Sequence, residues 1–474
     1  LRIPYLSNVT TDSATSPARP KRGDTIELRI DDWGDKGKGI ARLGRMVVLT
    51  DRGLPGDRVC ARIDGRRKRY YHATVTEILE PSPHRVEPRC AHFGLCGGCR
   101  LQDLDYKQQL RGKAEHMREQ LRRVGKLDNP PEIPIIPCDP PWRYRNKMEF
   151  SFAGIPGSGL KLGLHPRNNY RDAFDLTECH LTDERFAKVV VAIRTFLAGG
   201  NDAPYDPVKH TGFLRFVVVR LGVNTGDLLV NIVTADHPWP RSDEFGAFLQ
   251  EYCREVTTAL WTVNATRANV AGGDIRTVYF GSGHLTERLG PFEFEIAPLG
   301  FFQTNTWQAE RLFDQAVEWC EFTEDGEILD LYSGAGAISL YLSQRAARVT
   351  GVELHHASVD AAERNAARNG VTNCRFIAAD VEQYLRLRAL DGVLLPPVVV
   401  DPPRAGLHPR AVKTLIAVGC PRIVYVSCNP AALARDLEML SPHYRLSKIA
   451  AVDMFPHTPH AEAVALFERI EPVN

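Results

Sequence analysis

Four groups of residues have the types and spacing to do chemistry. Cys428 lies in RIVYVSCNPAALARDLEML, residues 422–440. Strand-like residues 423–427 run straight into Cys-Asn-Pro, and residues 431–440 read as a helix with Leu433, Leu437 and Leu440 on one face. A thiol is thereby set at a strand-to-helix turn, where open α/β sheets receive ligands. It can pack there, as buried free cysteines do, or it can act as a nucleophile once ionised. Asp401 stands in PVVVDPPRAGL, at a strand tip followed by two prolines that stiffen the chain and supply no backbone donor. Such a loop offers a carboxylate and carbonyls to a flat, polar base. Glu462 in MFPHTPHAEAV opens the last strand-like stretch, with His457 and His460 beside it as rival proton acceptors.

The second group points to a nucleotide. In DLYSGAGAISL, residues 330–340, Gly334 and Gly336 permit a tight turn into a helix, while Ser339 stands where a dinucleotide fingerprint has glycine or alanine. Glu353 in VTGVE follows Gly334 by 19 residues, close to the spacing at which a carboxylate reaches ribose hydroxyls. Asp380 ends the next strand in IAAD, placed for an adenine amino group. A nicotinamide cofactor and S-adenosylmethionine both fit this pattern. A third group, Cys90, Cys96 and Cys99 in RCAHFGLCGGCRLQ, has C-x5-C-x2-C spacing and needs a fourth ligand. Four thiolates hold zinc or a 4Fe–4S cluster, and spacing does not choose between them. The fourth group is Arg66, Arg67, Lys68 and Arg69 followed by Tyr70 and Tyr71, which pairs charge with stacking surface for single-stranded or structured RNA.

The elements that must position these residues change character along the chain. Residues 24–81 carry five short strand patterns with glycine-rich turns, which predicts a small OB-like barrel. A basic amphipathic helix is expected over residues 106–124, with Leu110, Ala114, Met117, Leu121 and Val124 as its apolar stripe and Arg111, Lys113, Arg118, Arg122 and Arg123 off it. Residues 143–300 read as α+β, with a hairpin at NTGD. From residue 305 the pattern is strand, loop, helix, repeated. Its nearly continuous apolar strands predict an α/β, doubly wound, mostly parallel sheet. Only PHTPHA separates the last two strands, so they should pair antiparallel and bring Glu462 to the edge that holds Cys428 and Asp401. The expected division is a disordered leader at 1–22, a barrel at 23–81, an α+β region with the cysteines at 82–300, and the doubly wound domain at 301–474.

With 43% hydrophobic and 25% charged residues, the chain has ordinary globular composition. No apolar run reaches the roughly 18 residues of a membrane span, and no signal peptide is read at the start, so a cytoplasmic protein with no membrane partner is expected. Eleven cysteines suit a reducing compartment with metal or catalytic roles for some of them. Residues 1–180 hold 32 Lys+Arg against 23 Asp+Glu, net +9, and residues 181–474 hold 27 against 35, net −8. A basic front predicts a polyanionic partner.

Taken in order, DLYSGAG, VTGVE, DPPRAGL, VSCNP and MFPHTPHAEAV resemble the S-adenosylmethionine-dependent RNA uridine 5-methyltransferases. GFFQTN at residues 300–305 and the cysteine cluster resemble the branch with an N-terminal TRAM barrel and an iron–sulfur cluster. The resemblance implies a Rossmann-like class I methyltransferase domain, with Cys428 as nucleophile and Glu462 as the base. It also implies that Gln303, Tyr332, Glu353 and Asp401 contact the methyl donor, alongside Gly334 and Asp380 from the nucleotide pattern, and that Cys179 joins Cys90, Cys96 and Cys99 around a 4Fe–4S cluster, although Cys138 is nearer in sequence. The helix starting at Pro430 is expected to lower the Cys428 pKa. Cytosine-specific relatives place their nucleophile after the fourth strand, where this chain has Asp-Pro-Pro-Arg, which favours uracil. The expected partner is 23S ribosomal RNA, with uridine 54 of transfer RNA as the alternative target and a vestigial, non-catalytic RNA-binding protein as the rival of another class. A monomer is expected.

Overall fold

The computed structural model describes residues 19–34, 37–154, 159–390 and 395–470. Most of the expected leader, residues 1–18, lies outside them. The chain divides into two compact units. One holds the chain up to Arg89, Cys99–Ile133 and Phe455–His460, and the other holds Cys90–Gly98, Pro134–Met454 and the chain from Ala461.

In the first unit a closed barrel runs in the order Thr25–Trp33, Gly39–Leu43, Met46–Thr50, Tyr70–Glu80, Arg58–Arg66. Alternating residues fill it, among them Leu28, Ile30, Val48, Val59, Ile63, Tyr71 and Val75. Tyr71 is 2% exposed, so its ring belongs to the barrel core and cannot stack on a base as the sequence suggested. Arg66 to Arg69 are exposed, and Tyr70 is half-buried. The helix Tyr106–Arg123 is capped by Asp105, whose Oδ1 accepts from Lys107 N at 3.0 Å and Gln108 N at 3.3 Å. Its buried side is Gln109, Lys113, Met117 and Leu121. Lys113 was expected off the apolar stripe. It is buried because its Nζ donates to Phe455 O at 3.0 Å. Gln109 Nε2 donates to Leu101 O and Leu104 O, and Gln109 Oε1 accepts from His457 N at 2.9 Å. The helix thus spends half of its inner face on the turn containing His457, a loop-ordering use of both residues.

The second unit contains a seven-stranded sheet in the order Asp274–Phe280, Thr258–Val263, Leu228–Thr234, Leu214–Leu221, Lys147–Ala153, Lys161–Leu164, Phe174–Asp175. The NTGD turn does join an antiparallel pair, with Leu221 opposite Leu228. Helix Glu184–Ala198 packs its apolar face, Phe186, Val190, Ile193 and Leu197, into the core of this sheet. The strand Asp274–Phe280 escaped the sequence reading because it is an exposed edge without clean alternation.

The same unit holds an eight-stranded sheet. Its order is Cys374–Ala378, Arg348–Glu353, Glu327–Leu331, Val398–Val400, Arg422–Ser427, Glu462–Arg469, Tyr444–Val452, Ile135–Ile136. The first five are parallel, and Glu462–Arg469 runs antiparallel to both its neighbours. The repeated strands expected after residue 305 are present, and the last in sequence, Glu462–Arg469, is inserted between Arg422–Ser427 and Tyr444–Val452. Order reverses beside Glu327–Leu331, which makes its carboxyl end the switch point where such sheets open a crevice.

Candidate active site

The insertion of the last strand decides the geometry. Arg422–Ser427 and Glu462–Arg469 pair from Arg422 opposite Glu468 to Ser427 opposite Ala463, and continuing that register by one residue sets Cys428 across from Glu462. Directly opposite residues of an antiparallel pair share a face of the sheet. On its other side Glu462 is opposite Val452. Asp401 follows Val400, which is paired with Tyr425 on the neighbouring parallel strand. Thiol and both carboxyls therefore leave adjacent strands at the carboxyl end of the sheet, or at its antiparallel equivalent.

Local sequence holds each of them. Asn429 caps helix Pro430–Leu440 through Ala431 N at 3.1 Å and donates from Nδ2 to Arg404 O at 2.8 Å, tying the cysteine turn to the Asp-Pro-Pro-Arg loop. That loop closes with Gly406 N donating to Pro403 O at 2.7 Å. Gly406 has φ 77°, and a Cβ there would lie 2.8 Å from Asp436 Oδ2. Asp436, fully buried, accepts from Leu407 N at 2.8 Å and Tyr425 Oη at 2.7 Å. Sequence reasoning missed Asp436 and Arg404. The signal for the first was present, an acid between Leu433 and Leu437 on the apolar side of a helix.

The nucleotide-type loop sits at the end of Glu327–Leu331. Tyr332 has φ 68°, a left-handed conformation that is an outlier for an aromatic residue and stores strain. Its N donates to Val352 O at 2.9 Å. Glu353 accepts from Gly334 N at 3.2 Å and from His355 N at 2.9 Å, so its carboxylate is held against the loop. Gly334 has φ 52° with open space where a side chain would start, leaving its backbone accessible to a ligand. Asp380 is exposed, and its Oδ1 accepts from Gln383 N at 3.0 Å at the start of helix Val381–Leu390. Gln303 is buried ahead of helix Thr306–Glu318. A glycine loop with open backbone, a fixed carboxylate on the next strand and a switch-point crevice are a fit for a nucleoside-bearing donor.

Burial sets the protonation states. It pushes Glu462 up to about 8, the charge on Asp401 adding to the effect and Arg404 opposing it. Burial also raises Asp401 to about 7, with Asp330 beneath it contributing. Asp330 rises to about 7 for the same first reason, against a 2.5 Å hydrogen bond from Ser339 Oγ. The Cys428 thiol is raised, first by burial, then by Glu462 and Asp401, with Arg404 opposing. This corrects the expectation that the helix terminus would lower it. A terminus contributes at most about 1–2 kcal/mol and loses to burial beside two acids.

A pH dependence follows. If Glu462 must accept a proton and Cys428 must ionise, kcat/KM for RNA should climb as pH rises through about 8. Because the folded-state value lies above the ordinary carboxylate value, the contribution of Glu462 to stability is full below about pH 4 and is lost as pH rises through about 8. Initial rates and unfolding midpoints across that range check both. A flat rate profile between about pH 6 and 9 would contradict the first.

The cysteines divide between the units. Cys90, Cys96 and Cys179 belong to the second, Cys99 to the first. The Cys90 thiol is pushed up to about 11 by burial and then by Cys179, Glu178 and Cys96, so these thiols feel one another. Gly98 N donates to Cys96 Sγ at 3.3 Å. Glu178 Oε1 accepts from Ala91 N at 2.6 Å, and His92 Nε2 accepts from Thr177 N at 3.2 Å, which hold the segment around Cys90 against the segment around Cys179. Cys138 is buried, with Asn305 Nδ2 donating to its sulfur at 3.5 Å. Among the described residues no group of three or more His, Cys, Asp or Glu side chains is arranged to hold a metal ion. No helix among them is long and apolar enough to cross a membrane.

Residues 285–470 match the family described as tRNA (Uracil-5-)-methyltransferase, and residues 19–76 match the TRAM domain. An uncharacterized RNA methyltransferase of Nitratidesulfovibrio vulgaris is 37% identical over 95% of this chain and 97% of its own length. The chain belongs to the S-adenosylmethionine-dependent RNA uracil-5-methyltransferase family. An uncharacterized RNA methyltransferase of Chlorobaculum tepidum is 38% identical over 96% of this chain and 98% of its own length. Among solved structures, the Pyrococcus abyssi tRNA (uracil-54, C5)-methyltransferase in complex with S-adenosyl-L-homocysteine superposes with a TM-score of 0.75 at 31% identity. That match covers 93% of this chain and 99% of the other. The barrel and the doubly wound sheet are accordingly those of a TRAM domain and a methyltransferase fold.

Proposed function

We propose that this enzyme forms 5-methyluridine at one uridine of 23S ribosomal RNA, with Cys428 as nucleophile and Glu462 as base. The observation that carries the reading is the register that sets Cys428 across from Glu462, with Asp401 on the adjoining strand. Carbon 5 of uracil is too weak a nucleophile to take a methyl group from a sulfonium unaided. Cys428 Sγ adds to carbon 6, the ring becomes an enolate, and carbon 5 attacks the methyl group. Glu462 then removes the proton on carbon 5, the carbon 5–carbon 6 double bond re-forms, and the thiolate leaves. Asp401 faces the uracil, while Gln303, Tyr332, Gly334, Glu353, Asp380 and Asp401 line the donor. S-adenosylmethionine supplies the methyl group. The four-part division of the chain belongs to the same proposal: the barrel at 23–81 and the region at 82–300 grip RNA, and 301–474 carries out the chemistry. The enzyme acts as a cytoplasmic monomer.

A second target, uridine 54 of transfer RNA, is favoured by the specificity named for the Pyrococcus abyssi relative. Mapping 5-methyluridine in total RNA after deleting the gene separates the two. Loss from 23S RNA supports the first reading, loss from transfer RNA position 54 supports the second, and loss from neither overturns both.

A 4Fe–4S cluster on Cys90, Cys96, Cys99 and Cys179 is part of the proposal as a structural or RNA-positioning unit, since methyl transfer has no redox step. The mutual influence of Cys90, Cys96 and Cys179 supports it. Anaerobically purified protein should be brown, with about four irons per chain. Cys179→Ser should lower iron content more than Cys138→Ser, and colourless active protein with stoichiometric zinc would contradict the cluster.

A further inference from the structure

Gln303 sits in a stretch, residues 297–304, that has no strand or helix of its own. In an irregular segment, backbone carbonyls turned away from solvent must find partners outside a ladder. Two side chains supply them, Arg220 from the neighbouring seven-stranded sheet and Asn146 from just ahead of its strand Lys147–Ala153. Arg220, 2% exposed in strand Leu214–Leu221, donates from Nε to Pro298 O at 2.9 Å and from Nη2 to Gly300 O. Asn146, 6% exposed, donates from Nδ2 to Gln303 O at 2.9 Å and to Thr306 Oγ1 at 3.0 Å, and from its backbone N to Thr304 O at 2.9 Å. Thr306 Oγ1 in turn donates to the buried Glu287 at 2.7 Å. Leu221 N donates to Asn146 O at 2.8 Å, so the two anchors share one backbone connection.

Stability alone does not account for Arg220. Its guanidinium spends its hydrogen bonds on main-chain carbonyls, and the residue opposite it in the sheet is another cation, Lys147. Burial lowers its pKa to about 10, with Glu149 the negative charge that opposes the shift. A buried cation held this way is commonly less stabilising than apolar packing of the same volume. What a guanidinium gives that a methionine cannot is a rigid planar fork, which fixes two carbonyls at once and with them the path of the chain toward residue 303.

We propose that Arg220 and Asn146 are positioning residues that set Gln303 against the methyl donor from the two ends of its loop. This rests on the reading of Gln303 as a donor contact, and the test separates the two claims. Affinity for S-adenosylhomocysteine is measured by calorimetry on the full chain for Gln303→Ala, Arg220→Met, Arg220→Lys, Asn146→Ala and the pair Arg220→Met with Gln303→Ala. Gln303→Ala and Arg220→Met should each weaken binding about tenfold, the scale of one lost hydrogen bond to a charged ligand. The double variant should bind no more weakly than Gln303→Ala, because Arg220 acts through the residue already removed. Arg220→Lys, which restores the charge and one donor, should recover part of the loss. If Gln303→Ala weakens binding and Arg220→Met either does not or adds its own full loss in the double variant, the positioning role is overturned and the donor contact stands. Unchanged binding in Gln303→Ala overturns both. Should Arg220→Met fail to fold, Asn146→Ala with Gln303→Ala forms the same cycle with the same two outcomes.

Discussion

Replacing Glu462 with glutamine should leave the enzyme able to attack its RNA and unable to let go of it. The amide keeps the size of a side chain that is 4% exposed and cannot accept the proton from carbon 5. Addition by Cys428 and methyl transfer do not need that base, so both should proceed once. Elimination should slow by on the order of 10²–10⁴-fold, the usual worth of a positioned base. Protein and RNA should then accumulate as a methylated covalent complex that survives denaturation, seen as a shifted band in a denaturing gel. Turnover at the wild-type rate with no adduct would assign the base to another residue. The variant should also be more resistant to unfolding than the wild type above about pH 8, because ionising the buried Glu462 carboxyl is costly and the amide has nothing to ionise.

Replacing Cys428 with alanine should have the largest effect on turnover. Without addition at carbon 6, carbon 5 has no enolate character, and losing a nucleophile of this kind costs on the order of 10⁴-fold or more. Cys428 is half-buried at the end of its strand, so the fold should tolerate the smaller residue with a change of about 1 kcal/mol. Donor affinity should hold within about twofold, since the thiol acts on the base rather than on the sulfonium. Methyl transfer above background in this variant would remove Cys428 from the mechanism, and loss of donor binding alongside activity would indicate a structural role.

Much of this site could be read from local pattern. The strand running into Cys-Asn-Pro, the glycine pair followed by Glu353 and the two prolines after Asp401 are features of a few residues each, and the elements formed where those features placed them. The short PHTPHA connection also required the last two strands to pair. What local pattern could not supply was the neighbour on the other side. The insertion of Glu462–Arg469 between Arg422–Ser427 and Tyr444–Val452 is a choice among sheet topologies, and it is that choice that sets Glu462 across from Cys428. Side-chain direction failed for a related reason. Lys113 and Tyr71 read as surface residues by type, yet the helix turns Lys113 toward Phe455 O and the barrel turns Tyr71 inward. The Cys428 pKa went astray because a helix terminus is visible in sequence, whereas the burial and the two acids opposing it come from segments 27 and 34 residues away in the chain. Arg220 and Asn146 were invisible as well, because their partners are carbonyls of an irregular loop and carry no side-chain signature.

Cys428 is expected to form a covalent bond to carbon 6 of the target uridine during each turnover. The most direct measurement uses the wild-type enzyme, S-adenosylmethionine and RNA in which uridine is replaced by 5-fluorouridine. After addition and methyl transfer, carbon 5 bears fluorine where Glu462 would need a proton, so the thiolate cannot be expelled and the complex is held. Digestion and mass spectrometry should then find a single modified peptide, carrying a methylated fluorouridine nucleotide on Cys428. A nucleotide on a different residue, or no adduct while ordinary RNA is methylated normally, would show that Cys428 is not the nucleophile.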